Sequence, residues 1–488
     1  MKLVVPEEVK LIAQALKKAK FQAYLVGGCV RDLLLDRVPK DWDVATNAKP
    51  DEVQKLFPNS VYENDFGTVG IKTDSENPKL KILEVTTFRL EGKYTDKRHP
   101  DEIKFAKTIE EDLSRRDFTV NALALDVVKG IAGEIIDPYG GQKDIKEKII
   151  RTVGNAEERF DEDALRLMRA VRFAGELNFE IELNTRRAIE KLAGLLEVIA
   201  KERIRDEFVK IIMSDNATRG LLLLEELNLL RNVVPELREG IGVGQNKHHI
   251  NTVFEHNIRA LDYTVKKNYS LRVRLASLFH DVGKVRAKQG DGPDSTFYNH
   301  EMIGAKMTLK IMDCLRFPKD ITEEVTHLVR NHLFYYNVDE VTAAGVRRLL
   351  RRVGPENVDD LMKVREADRI GSGVPKAVPY KLRHLLFMIE KVKNDPLSPK
   401  MLKVNGEDVM KILEIPPSPK VGQILNILLE EVLDDPELNT KKYLESEIKK
   451  LGKLPDKKLA EMMKEAKKKA ESVEKGMEEE IKKKYYVK

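Results

Sequence analysis

The sequence predicts an α+β protein, with a small mixed-sheet head at the N-terminal end and an all-helical remainder. Short β-rich runs broken by Gly and Pro fill roughly the first 150 residues. From Ala156 onward the apolar residues instead recur with the 3.6-residue period of a helix. The length of 488 residues suits about three domains. A hydrophobic fraction of 42% is enough for a real core and argues against global disorder. Charged residues reach 34%, above the usual ~25%, and the Lys/Glu weighting is one seen in heat-adapted proteins.

The elements follow in order. Residues 1–20 carry Ile12, Ala13 and Leu16 on one face, which predicts an amphipathic helix. FQAYLVGG is a β-rich run ending at Gly27-Gly28, and CVRDLLLD after it reads as helix. KDWDVAT, TVGIKT and LKILEVTTF are further strand candidates, while the 30 residues from Gly92 to Asn121 read mostly as loop and turn. GEIIDPYGG supplies a last strand and closes the head near residue 141. EERFDEDALRLMRAVRFAGEL then reads as one helix, with Ala164, Leu167, Met168, Val171 and Ala174 sharing a face. The Gly-rich GIGVGQN at 240–246 and the Pro-bounded VPKAVPY at 374–380 mark the best boundaries. The expected division is 1–150, 151–240, 241–385, 386–451 and 452–488. The last piece is a Lys/Glu-rich helix whose mixed charge suits a solvated face, with contact to a partner as the alternative.

Charge and cysteine content narrow the function classes. Basic and acidic residues nearly cancel, 86 against 81, for a net of +5. Residues 453–488 hold 12 Lys and 8 acids, a local +4, so the rest is close to neutral. Global charge therefore gives no warrant for nucleic-acid binding. Two cysteines, Cys29 and Cys314, exclude a disulfide scaffold and a four-thiolate zinc site, and they fit a reducing cytoplasm. MKLVVPEEVK brings Pro6 and two acids too early for a signal peptide, and no apolar run nears the ~18 residues of a membrane helix. A cytoplasmic protein with no membrane partner is expected.

The first chemical centre is Asp41-Trp42-Asp43. On a strand, alternation sets Asp41 and Asp43 on one face and Trp42 on the other. Two such carboxylates repel unless a cation lies between them, and hard oxygen ligands suit Mg²⁺. An exposed strand edge with two acids is the plainer reading. Upstream, Gly27-Gly28 joins strand to helix, a turn that aims backbone N–H groups at an anion, and Arg31 can add a phosphate contact. A phosphate cradle beside a metal pair is the minimal kit for nucleotidyl transfer. Glu84 in LKILEVTTF is either a third carboxylate or an ordinary strand residue.

These motifs carry a resemblance. LVGGCVRDLLL followed by DWDVAT resembles the head of the class II tRNA nucleotidyltransferase (CCA-adding) and bacterial poly(A) polymerase superfamily. EEDLSRRDFTVNALALD resembles its second motif, with Arg115, Arg116 and Asp117. IIDPYGGQKDI resembles its next segment, with Asp137, Gly141 and Asp144, and EDALRLMRAVRF its Glu-Asp-x-x-Arg element, with Glu162, Asp163 and Arg166. The resemblance runs continuously over about 20–230 and more weakly beyond. It implies a catalytic head at 1–150 that uses Mg²⁺ on Asp41 and Asp43. Gly27, Gly28, Arg31, Arg115, Arg116 and Asp117 would bind the nucleotide, and 151–240 would be a neck carrying the base-selecting helix.

Base choice has a physical reading. Asp163 accepts and Arg166 donates, and i and i+3 share a helix face. Cytosine offers an N4 donor beside an N3 acceptor, adenine an N6 donor beside an N1 acceptor, so one such pair serves both. Uracil and guanine present mismatched edges. Asp161, Glu162 and Asp163 as a plain helix cap is the competing reading. Arg169 and Arg172 would reach the triphosphate or lock the pocket, and Arg203 with Glu207, an i,i+4 pair, would brace it from beneath.

The second centre is a histidine cluster. Seven of nine histidines lie between 248 and 332. LFHDVGKV after an apolar helical run resembles the HD phosphohydrolase superfamily. The resemblance implies His256, His280, Asp281 and Asp368 as ligands, with His249 an alternative to His256. His300 and His332 would serve a second metal or phosphate, and His327 would be structural. Mn²⁺, Ni²⁺, Zn²⁺ or Mg²⁺ would suit this set, and 2′,3′-cyclic phosphates or phosphomonoesters would be substrates.

Together the resemblances imply an enzyme adding C and A from CTP and ATP to the 3′ end of tRNA, with an HD hydrolase activity. The helical tail at 386–451 would hold tRNA. EGKYTDKRHP at 91–100 resembles the flexible loop needed for the final A, which disfavours a CC-only enzyme. Addition of A alone to a CC end, poly(A) synthesis, a chain that is chiefly an HD hydrolase and a non-catalytic RNA chaperone are the alternatives.

Overall fold

The computed structural model describes residues 4–64, 67–92, 103–128, 131–246, 250–334, 336–337, 342–392, 395, 398–456 and 458–462. The segment 93–100 of the expected loop, His249 and residues 463–488 of the Lys/Glu extension lie outside them. The chain divides into two compact units, one of residues 1–238 with 311–318, the other of 239–310 with 319–488.

The first unit begins with α1 (Glu7–Lys18), which buries Val9, Ile12, Ala13 and Leu16 as the periodicity predicts. The head continues as β1 (Ala23–Val26), α2 (Gly28–Leu34), β2 (Asp43–Thr46), α3 (Pro50–Leu56), β3 (Ser60–Asn64), β4 (Thr68–Lys72) and β5 (Ile82–Thr87). After these come β6 (Arg89–Glu91), β7 (Ile103–Phe105), α4 (Ile109–Ser114), β8 (Ala124–Val128), β9 (Ile131–Ile136), α5 (Gly141–Glu147) and β10 (Ile149–Ile150). Seven strands form one sheet in the order β3-β4-β5-β2-β1-β8-β9. Every neighbouring pair is antiparallel except β2 and β5, which makes the sheet mixed. The α+β head expected from the sequence is present.

Several local expectations need correction. Asp41 and Trp42 precede the strand, and only Asp43 lies on it. The stretch 92–121 is not all loop, because β7 and α4 lie within it. Thr108 and Glu111 form a capping box, with the Glu111 N–H on Thr108 Oγ1 at 3.4 Å and the Thr108 N–H on Glu111 Oε2 at 3.3 Å. The strands β3 and β8 were not expected. The run ALALDVV at β8 is apolar without alternation, so its period names neither helix nor strand.

The neck follows as α6 (Ala156–Glu162), α7 (Leu165–Leu177), β11 (Glu180–Ile181), α8 (Leu183–Leu192), α9 (Lys201–Met213), α10 (Ala217–Glu226), α11 (Leu230–Val233) and α12 (Pro235–Arg238). The single helix expected from Glu157 to Leu177 is two helices. Asp163 between them is extended, at φ −139 and ψ 103. Its carboxylate accepts the Leu165 N–H at 3.1 Å, so it starts α7 rather than continuing α6. The face of Ala164, Leu167, Met168, Val171 and Ala174 is buried all the same.

The second unit carries α13 (Val253–Lys266), α14 (Leu271–Phe279), α15 (Lys284–Ala287), α16 (His300–Cys314, its last four residues in the first unit), α17 (Lys319–Asn331), α18 (Ala343–Val353) and α19 (Val358–Gly371). The tail is α20 (Tyr380–Val392), α21 (Gly406–Leu413), α22 (Pro419–Asp434) and α23 (Lys441–Gly452). The boundary expected between 385 and 386 falls inside α20. Among the described residues no helix is long and apolar enough to cross a membrane.

The Asp137–Asp144 segment ties the head sheet to the chain that leaves it. Asp137 accepts the N–H groups of Gly141 at 2.6 Å and Gln142 at 2.9 Å, while Asp144 accepts the Thr119 hydroxyl at 2.6 Å and Arg151 Nε at 3.1 Å. A Cβ at Gly141 would stand 2.2 Å from the Thr119 carbonyl oxygen. Gly141→Ala should therefore destabilise the head by about 1–3 kcal/mol, read as a lower urea midpoint with an unchanged slope. An unchanged midpoint would show that this contact yields freely.

Candidate active sites

The first site forms where β1 and β2 end together. Their antiparallel register, Leu25 opposite Val44, brings the turn at Gly27 beside Asp43. Gly27 has φ +76, and a Cβ there would lie 2.7 Å from Arg116 Nη1 and 3.9 Å from Asp43 Oδ2. A side chain at this position would be strained and would also fill the space that Arg116 uses. On the other side of β2 the parallel register sets Glu84 opposite Asp43. Burial and then the charge of Asp41 raise the Asp43 carboxyl to about 6, against the opposing pull of Arg116. Cys29 is buried behind this edge, with its thiol pushed up to about 12 by burial. A buried carboxylate whose ionisation is opposed by a neighbouring carboxylate belongs to a donor set that fits a hard divalent cation.

An arginine array surrounds this edge. Arg115 pairs with Asp112 through Nε at 3.0 Å and Nη2 at 2.9 Å, and Arg116 reaches the same carboxylate at 3.4 Å. Asp117 accepts from Asn121 at 3.1 Å and from Arg169 Nε at 2.7 Å. Burial alone would raise Asp117, but the Arg169 charge and these bonds hold it at about 2. Arg31 is largely buried, bonded to Asp32 Oδ1 and, at 2.7 Å, to Asn121 Oδ1. The guanidinium groups of Arg31, Arg169 and Arg172 lie 5.2, 5.3 and 4.3 Å from the centre of the Phe173 ring.

Asp163 and Arg166 do not share one helix. Arg203 holds Asp163 through two bonds of 3.2 and 2.9 Å. Arg166 is held by Glu162 Oε2 at 2.5 Å, by the Arg159 carbonyl at 3.0 Å and by the Arg115 carbonyl at 3.4 Å. The expected Arg203–Glu207 pair is replaced by two others, because Glu207 meets Arg172 at 3.0 Å. The bracing is there, but its partners differ from those that spacing suggested.

The second site lies in the other unit. Ligand atoms of His256, His280, Asp281 and Asp368 lie within 4.8 Å of one another, as do those of Asp281, His300 and His332. Asp281 is common to both groups. The Nδ1–H groups of His280, His300 and His332 donate to the carbonyls of Ser277, Phe297 and Val329 at 2.8, 2.8 and 2.6 Å. That leaves each Nε2 aimed inward, the arrangement metal-binding imidazoles use. Close helix packing builds the cluster: a Cβ at Gly283 would sit 2.2 Å from the His300 carbonyl oxygen, and one at Gly371 3.1 Å from the His256 ring. Burial would push His280 down, yet Asp281 and Asp368 hold it at about 10, and both carboxylates stay well below their usual range. His332 is pushed down, with burial the largest cause. His327 bonds the Val353 carbonyl at 2.7 Å.

Comparison with known proteins decides the family. Residues 23–151 match the model of the poly A polymerase head domain, 178–241 that of the probable RNA and SrmB-binding site of polymerase A, and 253–371 that of the HD domain. A CCA-adding enzyme of Geobacillus sp. (strain WCH70) is 35% identical over 86% of this chain and 91% of its own. The chain belongs to the CCA-adding enzyme family of tRNA nucleotidyltransferases. An A-adding tRNA nucleotidyltransferase of Deinococcus radiodurans is 36% identical over 84% of this chain and 91% of its own. The crystal structure of the Bacillus stearothermophilus CCA-adding enzyme in complex with CTP superposes with a TM-score of 0.70 at 30% identity, over 92% of this chain and 98% of that one.

Within that family frame, Arg116 and Arg31 stand at the Gly27-Gly28 turn with Asp43 beside it, Arg115 shares Asp112 with Arg116, and the six HD side chains gather in the second unit. Sequence reasoning missed Asp112, Lys284 and Gln245. Lys284 Nζ meets Asp281 Oδ2 at 2.6 Å and Gln245 Oε1 at 2.7 Å. Its signal was its place three residues after Asp281, across the turn that joins α14 to α15. Asp112 stands three and four residues before the two arginines it holds.

Two outcomes follow. Asp43 is raised in the fold above its unfolded value of ~3.9, so the stability it contributes is present at low pH and lost as pH rises through about 6. In Mg²⁺-free buffer Asp43→Asn should flatten that part of the stability–pH profile, by on the order of 2 kcal/mol, and in Mg²⁺ buffer it should abolish pyrophosphate release. An unchanged profile would show that Asp43 is not strained. At the second site, Mn²⁺ binding at pH 7 must displace the proton on His280, so affinity should rise with pH. Calorimetry in buffers of different ionisation enthalpy should read about one proton released, and none would contradict the charged state of His280.

Proposed function

We propose that this chain completes the 3′ end of tRNA by adding C and A from CTP and ATP. The observation that carries the reading is the meeting of Arg116 and the Asp43 carboxylate at Gly27, beside the Asp163–Arg166 group of the neck. A divalent cation, Mg²⁺, bound by Asp41 and Asp43 would supply positive charge against the triphosphate. The tRNA 3′-hydroxyl attacks the α-phosphate, a new P–O bond forms, and pyrophosphate leaves. Arg116 steadies the triphosphate, with Arg31 and Arg115 lining the same edge. Arg169 and Arg172 hold Asp117 and Glu207 rather than reaching outward.

Asp163 accepts from the exocyclic amine of C or A, and Arg166 donates to the neighbouring ring nitrogen. Arg203 and Glu162 keep both groups aimed, so little reorganisation is needed when a base arrives. The HD cluster acts on phosphomonoesters or 2′,3′-cyclic phosphates, with a divalent cation there supplying Lewis acidity. Its four imidazoles and two carboxylates suit Mn²⁺, Ni²⁺ or Zn²⁺ at least as well as Mg²⁺. The tail 386–451 contacts the tRNA, and the enzyme works in the cytoplasm.

A second reading, addition of A alone to tRNA already ending in CC, is favoured by the near-equal similarity of the A-adding relative. Transcripts ending before the tail, after C and after CC, each given CTP, ATP or both with Mg²⁺, separate the two. Three residues added to the shortest transcript are expected, with UTP and GTP refused until Asp163→Ala relaxes the choice. Growth from the CC end alone would establish the A-adding reading, and long ATP ladders would establish poly(A) synthesis.

A further inference from the structure

Asp112 is bound to three residues of the head at once, two at the end of its own helix and one on β6. Its side chain is 1% exposed. Oδ1 accepts Arg115 Nε and Nη2 at 3.0 and 2.9 Å and the Arg89 backbone N–H at 3.2 Å, while Oδ2 accepts Arg116 Nη2 at 3.4 Å. The other terminal nitrogen of Arg116 is the one that fills the space above Gly27. Arg89 opens β6, which pairs with β7 from Arg89–Phe105 to Glu91–Ile103, so Asp112 is also fastened to the base of that hairpin. The carbonyl of Arg115 receives Arg166. Burial opposes a charge here, yet Arg115 and Arg116 keep the carboxyl below its usual range. A buried carboxylate with two cations and a strand N–H on it has few other positions to adopt.

We propose that Asp112 is a positioning residue for nucleotidyl transfer. It holds Arg116 against Gly27 for the incoming nucleoside triphosphate and fixes that arginine to the base of the β6–β7 hairpin. This rests on the reading of Arg116 as a triphosphate group. Asp112 touches no substrate itself, so its loss acts through Arg116. Asn keeps the shape and can still accept the Arg89 N–H, but it removes the charge that holds two guanidinium groups.

The test is a mutant cycle on the full chain, with ATP and tRNA ending in CC, and CTP and tRNA ending in C. Asp112→Asn should raise KM for both nucleotides about tenfold with kcat within about threefold, the pattern of lost nucleotide binding. Arg116→Gln should do the same, and the double variant should be no worse than Arg116→Gln alone. Additive effects, or a lowered melting temperature with KM unchanged, would reduce Asp112 to a structural role and overturn the proposal. An unchanged KM in Arg116→Gln would instead overturn the triphosphate reading, and this proposal with it. If Asp112→Asn does not fold, Asp112→Glu keeps the charge but displaces it by one methylene. The same KM rise in that variant is expected, and its absence counts against the proposal.

Discussion

Arg116 can lie beside the Asp43 carboxylate because residue 27 has no side chain. Two separate constraints meet at that glycine. Its backbone is in the left-handed region, and the volume a Cβ would occupy belongs to Arg116 Nη1. The antiparallel β1–β2 register places the turn next to Asp43, and the parallel β2–β5 register places Glu84 on the far side. Sheet topology thus delivers three chain segments, distant in sequence, to one edge. The arginines are delivered separately, by the short helix α4, and are held by one buried carboxylate.

The two sites balance charge in opposite ways. In the head, Asp43 and Asp41 work against each other, and Arg116 offsets only part of the cost, so the edge is left short of positive charge. In the HD cluster, Asp281 has Lys284 at 2.6 Å and a charged His280 beside it, and Asp368 has Arg365 at 2.6 Å. That cluster is already internally compensated, so a metal ion must displace something to enter. The head edge asks for charge from outside, and the HD cluster exchanges it. This difference follows from burial: fully enclosed carboxylates cannot persist without partners, whereas a half-open edge can borrow water.

How much of this was legible in the sequence depends on the range of each interaction. The histidines and aspartates of the HD cluster stand out by type and by crowding, and they do gather in space. Gly27-Gly28, Asp43 and the Arg115–Asp117 run were visible as motifs, and helix α1 as a period. What stayed hidden was set by partners far along the chain. The strand β8 is defined by pairing with β1 and β9, not by its own pattern. Asp112 shows its role only once Arg89 and Arg116 are folded around it. The α4 capping box is readable in Thr108–Glu111, but six residues make too weak a period to mark the helix.

The break at Asp163 shows where spacing misleads. A continuous helix would aim Asp163 and Arg166 along one face by periodicity alone. With the backbone extended at Asp163, aim has to come from elsewhere, and it comes from Arg203 on α9 for the acceptor and from Glu162 on α6 for the donor. The surface proposed to read the base is therefore assembled from three helices and one carbonyl of the head, that of Arg115. A small rotation of any of these elements changes the angle between acceptor and donor without changing either residue. On that proposal, selectivity resides in the groups that hold Asp163 and Arg166 as much as in those two residues themselves.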